Sequence, residues 1–364
     1  MKIVIDGREY PTSTGRYIRK LVEYLEIIDA DSDREYVIML YSKNFNDYQP
    51  KAKNFSKVSA DFKEFTFSEQ FGFLRFIRSL KAGLVHFTLV QQPILYPGKV
   101  VTTIQDYSTL RFVNPSKNII YFRIKQLAYA LVNLIVPRKS KYLITPTQFV
   151  KQEVISFAHV KPEKITVTLE SADKITVPAE EFSMLKNSPF VMYVGRALPH
   201  KNLQRLIDAF EILKQSHPDL KLVFVGKKDQ LIERHLAYAS KRGVKDVLAT
   251  GYVSEGQLRW LYEHTACYCF PSLSEGFGLP ALEAMCHGAP VASSNASCLP
   301  EVSEDAAHYF DPLDVDDMAA KINEVLTDEK LRNDLIKKGA EQVKKYSWKR
   351  MAEETLEVYK KASR

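Results

Sequence analysis

One stretch of this 364-residue chain limits the possible fold more than any other: Pro271-Ser-Leu-Ser-Glu275-Gly-Phe-Gly278-Leu-Pro280-Ala-Leu-Glu283. A short apolar run, Ala266-Cys-Tyr-Cys-Phe270, precedes it and reads as a buried strand. A helical pattern follows and stops at Gly288. Pro280 falls in the first helical turn, where its missing N–H would be unpaired anyway. The order is therefore strand, Gly-rich turn, helix N-terminus. Such a turn frees backbone N–H groups and aims the positive end of a helix dipole at whatever lies in front of it, which favours an anion. Glu275 enters the turn and Glu283 lies about one helical turn beyond Pro280. A carboxylate does not bind phosphate, but it accepts hydrogen bonds from hydroxyls. A ligand with a phosphate centre and hydroxyls at both ends fits, which describes a sugar nucleotide. The plain alternative is a tight loop with two solvated glutamates. The joint occurrence of both glycines, the proline and the glutamate spacing weighs against it.

Strand and helix signals alternate along the rest of the chain, as in doubly wound α/β domains. Lys2-Ile-Val-Ile-Asp6, a loop ending at Gly15, a helix from Arg16 to Leu25 and a strand at Tyr36–Tyr41 open the first half. Further strands are predicted at residues 83–88, 99–104, 141–145 and 164–168, with a helix over Gln148–Phe157. Residues 170–187 lack periodicity and contain Pro178, so the linker is placed at 171–187, between domains at 1–170 and 188–346. The second half opens with the strand Phe190–Gly195, a loop bearing Arg196, Lys201 and Asn202, and a helical stripe from Leu203 to Leu213. Strands at 222–226, 247–253 and 290–294 follow, and Ser254-Glu-Gly-Gln257 is a capping box.

The segment Glu275–Glu283 closely resembles the Glu-x7-Glu signature of retaining glycosyltransferase family 4, and the resemblance extends over nearly the whole chain. It implies a GT-B fold: α/β, with two Rossmann-like doubly wound domains facing across a cleft, and a terminal helix at 347–364 that crosses back onto the first domain. It implies transfer of a hexose from a nucleotide-diphosphate sugar to a glycan or lipid-linked acceptor in cell-surface polysaccharide synthesis. Mannose from GDP-mannose is the first expectation, glucose or galactose from UDP the next. By the same resemblance Glu283 holds the ribose hydroxyls and Glu275 the sugar hydroxyls. Arg196, Lys201, Gly15, Gly195 and the N–H groups at Phe277, Gly278 and Leu279 hold the diphosphate. The base lies near Val253, and Asp106 orients an acceptor hydroxyl. The residues themselves leave a second use for Asp106, as a strand-end turn residue. No metal and no cofactor beyond the donor is expected, since no Asp-x-Asp motif stands at a strand end. The chain departs from the family pattern twice. Ser13 stands where many relatives carry a second glycine, and Gln105 stands where they carry a histidine. Glutamine can hydrogen-bond a hydroxyl but cannot hold a proton as imidazolium does.

The net charge of +7 belongs to the first half: 26 basic and 19 acidic residues lie up to Glu181, and 25 of each lie after it. Between Asp106 and Glu153 there is no acid, but eight basic residues, including Arg111, Lys117, Arg123, Lys125, Arg138 and Lys139. Residues 117–141 are long enough for one helix with a broad apolar face. Two uses fit: a core helix with solvated cations, or a face toward anionic lipid or a lipid diphosphate. The Phe-rich stretch 62–80 (Phe62, Phe65, Phe67, Phe71, Phe73, Phe76) likewise fits core packing or an acceptor or membrane face. Nucleic acid is disfavoured, because no helix-turn-helix, finger or stacking signature accompanies the charge. Four cysteines without C-x-x-C spacing argue against zinc and for a reducing, cytosolic setting, peripheral to the inner membrane face at most. Two rivals remain: a sugar-nucleotide epimerase of the same fold, and an inactive donor-binding partner in a polysaccharide assembly complex.

Overall fold

The computed structural model describes residues 1–12, 15–64, 66–112 and 119–364 and divides into two compact units. The first comprises Met1–Leu110, Ile120–Glu170 and Ser347–Arg364. The second comprises Ser171–Tyr346 and a short piece starting at Arg111.

The first unit holds β1 (Lys2–Asp6), α1 (Arg16–Ile28), β2 (Glu35–Leu40), β3 (Phe55–Ser59), α2 (Leu74–Ser79), β4 (Leu84–Phe87), β5 (Val100–Thr103), α3 (Ser108–Arg111), α4 (Ile119–Lys139), β6 (Tyr142–Thr145), α5 (Gln148–Ala158) and β7 (Ile165–Val167). The strands form one parallel seven-stranded sheet in the order β3-β2-β1-β4-β5-β6-β7. Central strands of a parallel sheet are covered on both faces and so read as continuous apolar runs. Ile3, Val4 and Ile5 of β1 are accordingly fully buried. The expected helix over 117–141 forms as α4; Lys117, Ser13 and Phe65 lie outside the described residues. The Phe-rich stretch forms a turn of π-helix, Ser68–Phe73, that runs into α2. Phe73 and Ile77 enter the core, whereas Phe67 and Phe71 stay exposed. Part of the basic excess serves helix ends: Arg138 Nε donates to the Ala158 carbonyl at 2.9 Å and Lys164 Nζ to the Arg138 carbonyl at 2.6 Å.

Two buried polar clusters hold this unit. Asp6 ends β1, and Arg8 donates to it from Nε at 3.0 Å and from Nη2 at 2.8 Å. Arg8 Nη1 also donates to the Phe62 carbonyl at 2.7 Å and lies 3.3 Å from Glu69, while its guanidinium sits 4.2 Å from the Phe73 ring centre. The second cluster binds the C-terminal helix Trp348–Ser363, which packs on α1, β4, β5 and β6. Tyr359 Oη lies 2.6 Å from His86 Nδ1, His86 Nε2 lies 2.8 Å from Thr103 Oγ1, and Tyr17 Oη lies 3.0 Å from the same hydroxyl.

The second unit holds β8 (Phe190–Val194), α6 (Leu203–Ser216), β9 (Lys221–Val225), α7 (Gln230–Arg242), β10 (Val247–Gly251), α8 (Glu255–His264), β11 (Cys267–Phe270), α9 (Leu279–Cys286), β12 (Val291–Ser294), α10 (Leu299–Ser303), β13 (Ala307–Phe310), α11 (Val315–Thr327) and α12 (Glu329–Gln342). Its sheet is parallel and six-stranded, in the order β10-β9-β8-β11-β12-β13. Residues 171–187, where the sequence places the linker, belong to the second unit. They form no strand or α-helix, but they are strapped to the second unit. Glu180 donates its N–H to the Gly256 carbonyl (3.0 Å) and accepts from Ser254 Oγ (2.6 Å) and Gln257 Nε2 (3.1 Å), and Arg259 donates to the Val177 carbonyl. Lack of periodicity marked the absence of regular structure, not the absence of packing.

Arg8→Ala leaves Asp6 and Glu69 buried without their cation, and should cost about 3–5 kcal/mol in urea unfolding. A second expectation concerns acid. Burial holds His86 down to about 3, whereas an unfolded histidine titrates near 6.5. The unfolded chain therefore takes the proton first. Stability from neutral His86 is lost as pH falls from about 6.5 toward 3, by up to about 1.4 kcal/mol per pH unit. Burial raises Glu64 and Glu170 to about 7, and these act in the opposite sense at higher pH. Comparison with His86→Gln isolates the histidine. The Tm of the wild type should fall toward that of the variant as pH drops; a constant offset would contradict the assignment.

Candidate functional site

The strand order of the second unit reverses between β8 and β11: the chain runs outward from β8 to β10, then returns to lay β11 on the other side of β8. In open parallel sheets the loops leaving the carboxyl ends of two such strands diverge and leave a crevice. Here those loops are 195–202 and 271–278, and the Leu273 N–H donates to the His200 carbonyl at 2.7 Å. They carry Arg196, Lys201 and Glu275.

Lys201 Nζ lies 2.6 Å from Glu275 Oε1, and both side chains are largely shielded. Lys201 ends a short 3-10 turn and is followed by Asn202 in the left-handed region, φ 59°, which begins α6. Gly278 precedes α9 at φ 99°, and a Cβ there would meet Leu299 Cδ2 at 2.8 Å. Only glycine meets both conditions. At the start of α9 the Leu279 N–H has no intrahelical partner, Pro280 carries no N–H, and the Ala281 N–H donates to the Gly278 carbonyl at 3.1 Å. The Glu275 N–H donates to Ser297 Oγ at 3.1 Å, which fixes the turn. Gly195 ends β8 with its N–H on the Val225 carbonyl at 2.9 Å, and a Cβ at Gly226 would meet the Gly195 carbonyl oxygen at 2.7 Å. These strand ends therefore close to backbone contact.

Glu283 lies in α9 and accepts from Tyr262 Oη at 3.2 Å. Its carbonyl faces His287 Nδ1 at 2.7 Å, while His287 Nε2 accepts the Ile175 N–H at 3.0 Å. With Nε2 the acceptor, Nδ1 carries the proton and donates. Burial holds this imidazole below its usual range, so it stays neutral. The sequence reading missed His287, which ties the 171–187 strap to the end of α9. Arg196 does not stand free as a clamp: its Nε donates to Asp229 Oδ2, the N-cap of α7, at 3.2 Å. Val253 follows β10, between the exposed Tyr252 and the capping box of Ser254 and Gln257. The Phe277 side chain packs edge-on against Tyr346, ring centres 5.5 Å apart, so only its backbone faces the turn.

The two remaining predicted residues belong to the first unit. Gly15 caps α1 at φ −71°, an ordinary helical value. A Cβ there would collide with the Glu9 and Tyr10 carbonyl groups, so the loop's own packing already demands a glycine. Asp106 Oδ1 accepts the Ser108 N–H at 2.7 Å, the turn-residue geometry. Beside it Gln105 hydrogen-bonds the Glu170 carboxyl, which burial pushes up to about 7 against the opposing effects of Arg16 and Gln105.

Residues 179–342 match the family model described as glycosyl transferases group 1. Over 99% of its length the chain is 28% identical to the O-antigen chain mannosyltransferase B of Escherichia coli, covering 100% of that protein. The structure superimposes on the sucrose-phosphate synthase of Thermosynechococcus elongatus with a TM-score of 0.77, at 16% identity and with 99% and 98% of the two chains covered. For Anabaena HepE, solved with UDP and glucose, the TM-score is 0.74 at 16% identity over 99% and 100% of the chains. At such identities the structural likeness speaks to the fold, which is GT-B. The second unit therefore resembles the group 1 glycosyl transferases over residues 179–342, and the chain as a whole has the GT-B fold.

Proposed function

We propose that the chain is a retaining hexosyltransferase that takes mannose from GDP-mannose and passes it to a glycan or lipid-linked acceptor in cell-surface polysaccharide synthesis. The observation that carries this reading is the α9 N-terminus, opened by left-handed Gly278 and flanked by the Lys201–Glu275 pair and by Glu283. The choice of mannose rests on the 28% identity to a mannosyltransferase along the whole chain. The N–H groups of Phe277, Gly278 and Leu279 face the donor diphosphate, Lys201 supplies the nearest ammonium, and Arg196 reaches it with the guanidinium nitrogens not used on Asp229. Glu283 accepts from the ribose hydroxyls and Glu275 from the sugar. The base rests near Val253. In the transfer, the acceptor oxygen bonds to the anomeric carbon as the bond to the diphosphate oxygen breaks. The electron pair goes to the departing diphosphate and the acceptor proton follows it. Preorganised dipoles and cations are worth most at such a developing charge. The reaction read this way needs no divalent metal, and turnover should survive EDTA.

The test is a thermal-shift titration with GDP, UDP and ADP and their hexose conjugates, on wild type and Glu283→Ala. At 100 times its Kd a ligand stabilises by about 2.7 kcal/mol. The guanosine series should shift the wild type and not the variant. No shift from any nucleotide would overturn the donor site, and a shift from UDP alone would replace mannose. Gly278→Ala should lose nucleotide binding and, as a side chain forced to positive φ, about 1–3 kcal/mol of stability.

A peripheral contact with anionic membrane completes the proposal. No helix among the described residues is long and apolar enough to cross a bilayer. On α4, however, Ile124, Leu127 and Leu131 are 61%, 72% and 54% exposed at a spacing that puts them on one helix face. Arg123 is exposed on the same helix, and no acidic residue lies on it. Such a face suits the headgroup boundary of an anionic leaflet. The wild type should sediment with vesicles containing phosphatidylglycerol and not with phosphatidylcholine alone. Leu127→Ser with Leu131→Ser should abolish this without altering nucleotide affinity.

A further inference from the structure

We infer that the second unit has another anion site, distinct from the donor turn, in the cavity between the first turns of α6 and α7, and that it takes a phosphate monoester. The cavity measures about 680 Å³ and is lined by residues of this unit only. That volume lies within the range of small-molecule sites. Its lining combines apolar residues, among them Pro199, Leu203, Leu231 and Leu273, with Arg205, Arg234, His235 and Tyr238.

The charges point to an anion. Within Ser171–Tyr346 the other arginines are accounted for: Arg196 pairs with Asp229, Arg242 with Glu211, Arg259 with Glu263, and Arg332 donates to the Val325 and Leu326 carbonyls at the end of α11. Arg205 and Arg234 have no carboxylate partner among the described residues. Arg205 has one hydrogen bond, from Nη1 to Asn202 Oδ1 at 2.9 Å, which leaves most of its planar fork of donors unused. The one acid on the wall, Asp208, already has partners: it accepts from Tyr238 Oη at 2.7 Å and lies 3.7 Å from Arg242. Two guanidinium groups without a carboxylate partner on the lining of one cavity match the tetrahedral, doubly charged head of a phosphate monoester, which arginine binds in forked geometry. Burial holds the half-buried His235 below its usual range, so it stays neutral near pH 7 and can serve as a hydrogen-bonding wall without adding charge.

The cavity shares a wall with the donor turn. Asn202, whose side chain holds Arg205, is bonded in sequence to Lys201, and Nδ2 of Asn202 donates to the Pro312 carbonyl at 2.7 Å. Leu273 lies on the loop that leads to Glu275. An anion drawing Arg205 inward acts on the residue next to the Lys201–Glu275 pair, so its occupancy should alter nucleotide affinity.

Isothermal titration of the full chain with inorganic phosphate, and separately with mannose 6-phosphate, tests the site. The variants are Arg205→Ala, Arg234→Ala and Lys201→Ala, with Arg205→Lys as the conservative control. Binding that weakens about tenfold or more in the two alanine variants of the cavity and persists in Lys201→Ala supports the site. Tighter binding of the sugar ester identifies a monoester as the ligand, and equal binding identifies free phosphate; both keep the site. Absence of heat from either probe up to about 10 mM overturns it. So does binding that Lys201→Ala abolishes while the cavity variants leave it intact, because the anion would then sit in the donor turn. The result does not depend on which nucleotide sugar the donor turn accepts.

Discussion

The reversal of strand order at β8 and β11 is the constraint on which the rest of the second unit depends. Parallel neighbours cannot be joined by a hairpin, so each connection must cross over a sheet face, usually as a helix. Every loop that leaves a carboxyl end thus feeds a helix N-terminus. Where the winding changes direction, two such loops part. In this chain the parting loops bring an ammonium, a carboxylate and the positive end of α9 together. These charges are local to that edge, and the body of the sheet serves to hold them still.

The first unit has the same reversal between β1 and β4, but fills it differently. Its parting point is occupied by the chain itself: Arg8 lies among Asp6, Glu69 and the Phe73 ring, and Thr88 Oγ1 donates to the Asp6 carbonyl. One crevice is closed by an internal ion cluster, while the other presents its charges at a loop edge. Desolvated charges are costly unless paired, so the closed crevice concentrates opposite charges within bonding distance.

What the sequence revealed follows from burial. Central strands such as β1, β8 and β11 are covered on both faces and read as unbroken apolar runs. The two strands that left no signal, β3 and β13, both lie at sheet edges, where Ser56, Lys57, Ser59, His308 and Tyr309 dilute the pattern. The turn at 275–283 was legible because a glycine forced to positive φ, a proline in a first helical turn and two spaced glutamates each leave a mark. Other partners were not legible, since they depend on contacts between distant residues. Arg196 with Asp229, His287 with Ile175, and Glu180 with the start of α8 are of this kind. At Gly15 the structure gives a reason for glycine that the sequence did not show: a Cβ would collide with the carbonyl groups of its own loop.

The helix Trp348–Ser363 has a consequence for the order in which the chain becomes structured. It belongs to the unit formed by the earliest residues, and the whole second unit lies between them in sequence. On the ribosome, β1 to β7 emerge first, but His86 waits for the hydroxyl that Tyr359 supplies, and α1 for the helix that covers it. The second unit, nearly continuous in sequence, can finish while the first still has an uncovered apolar face. The unit synthesised first is therefore completed last, and a ribosome stalled before Trp348 would release a chain with one finished domain and one unfinished.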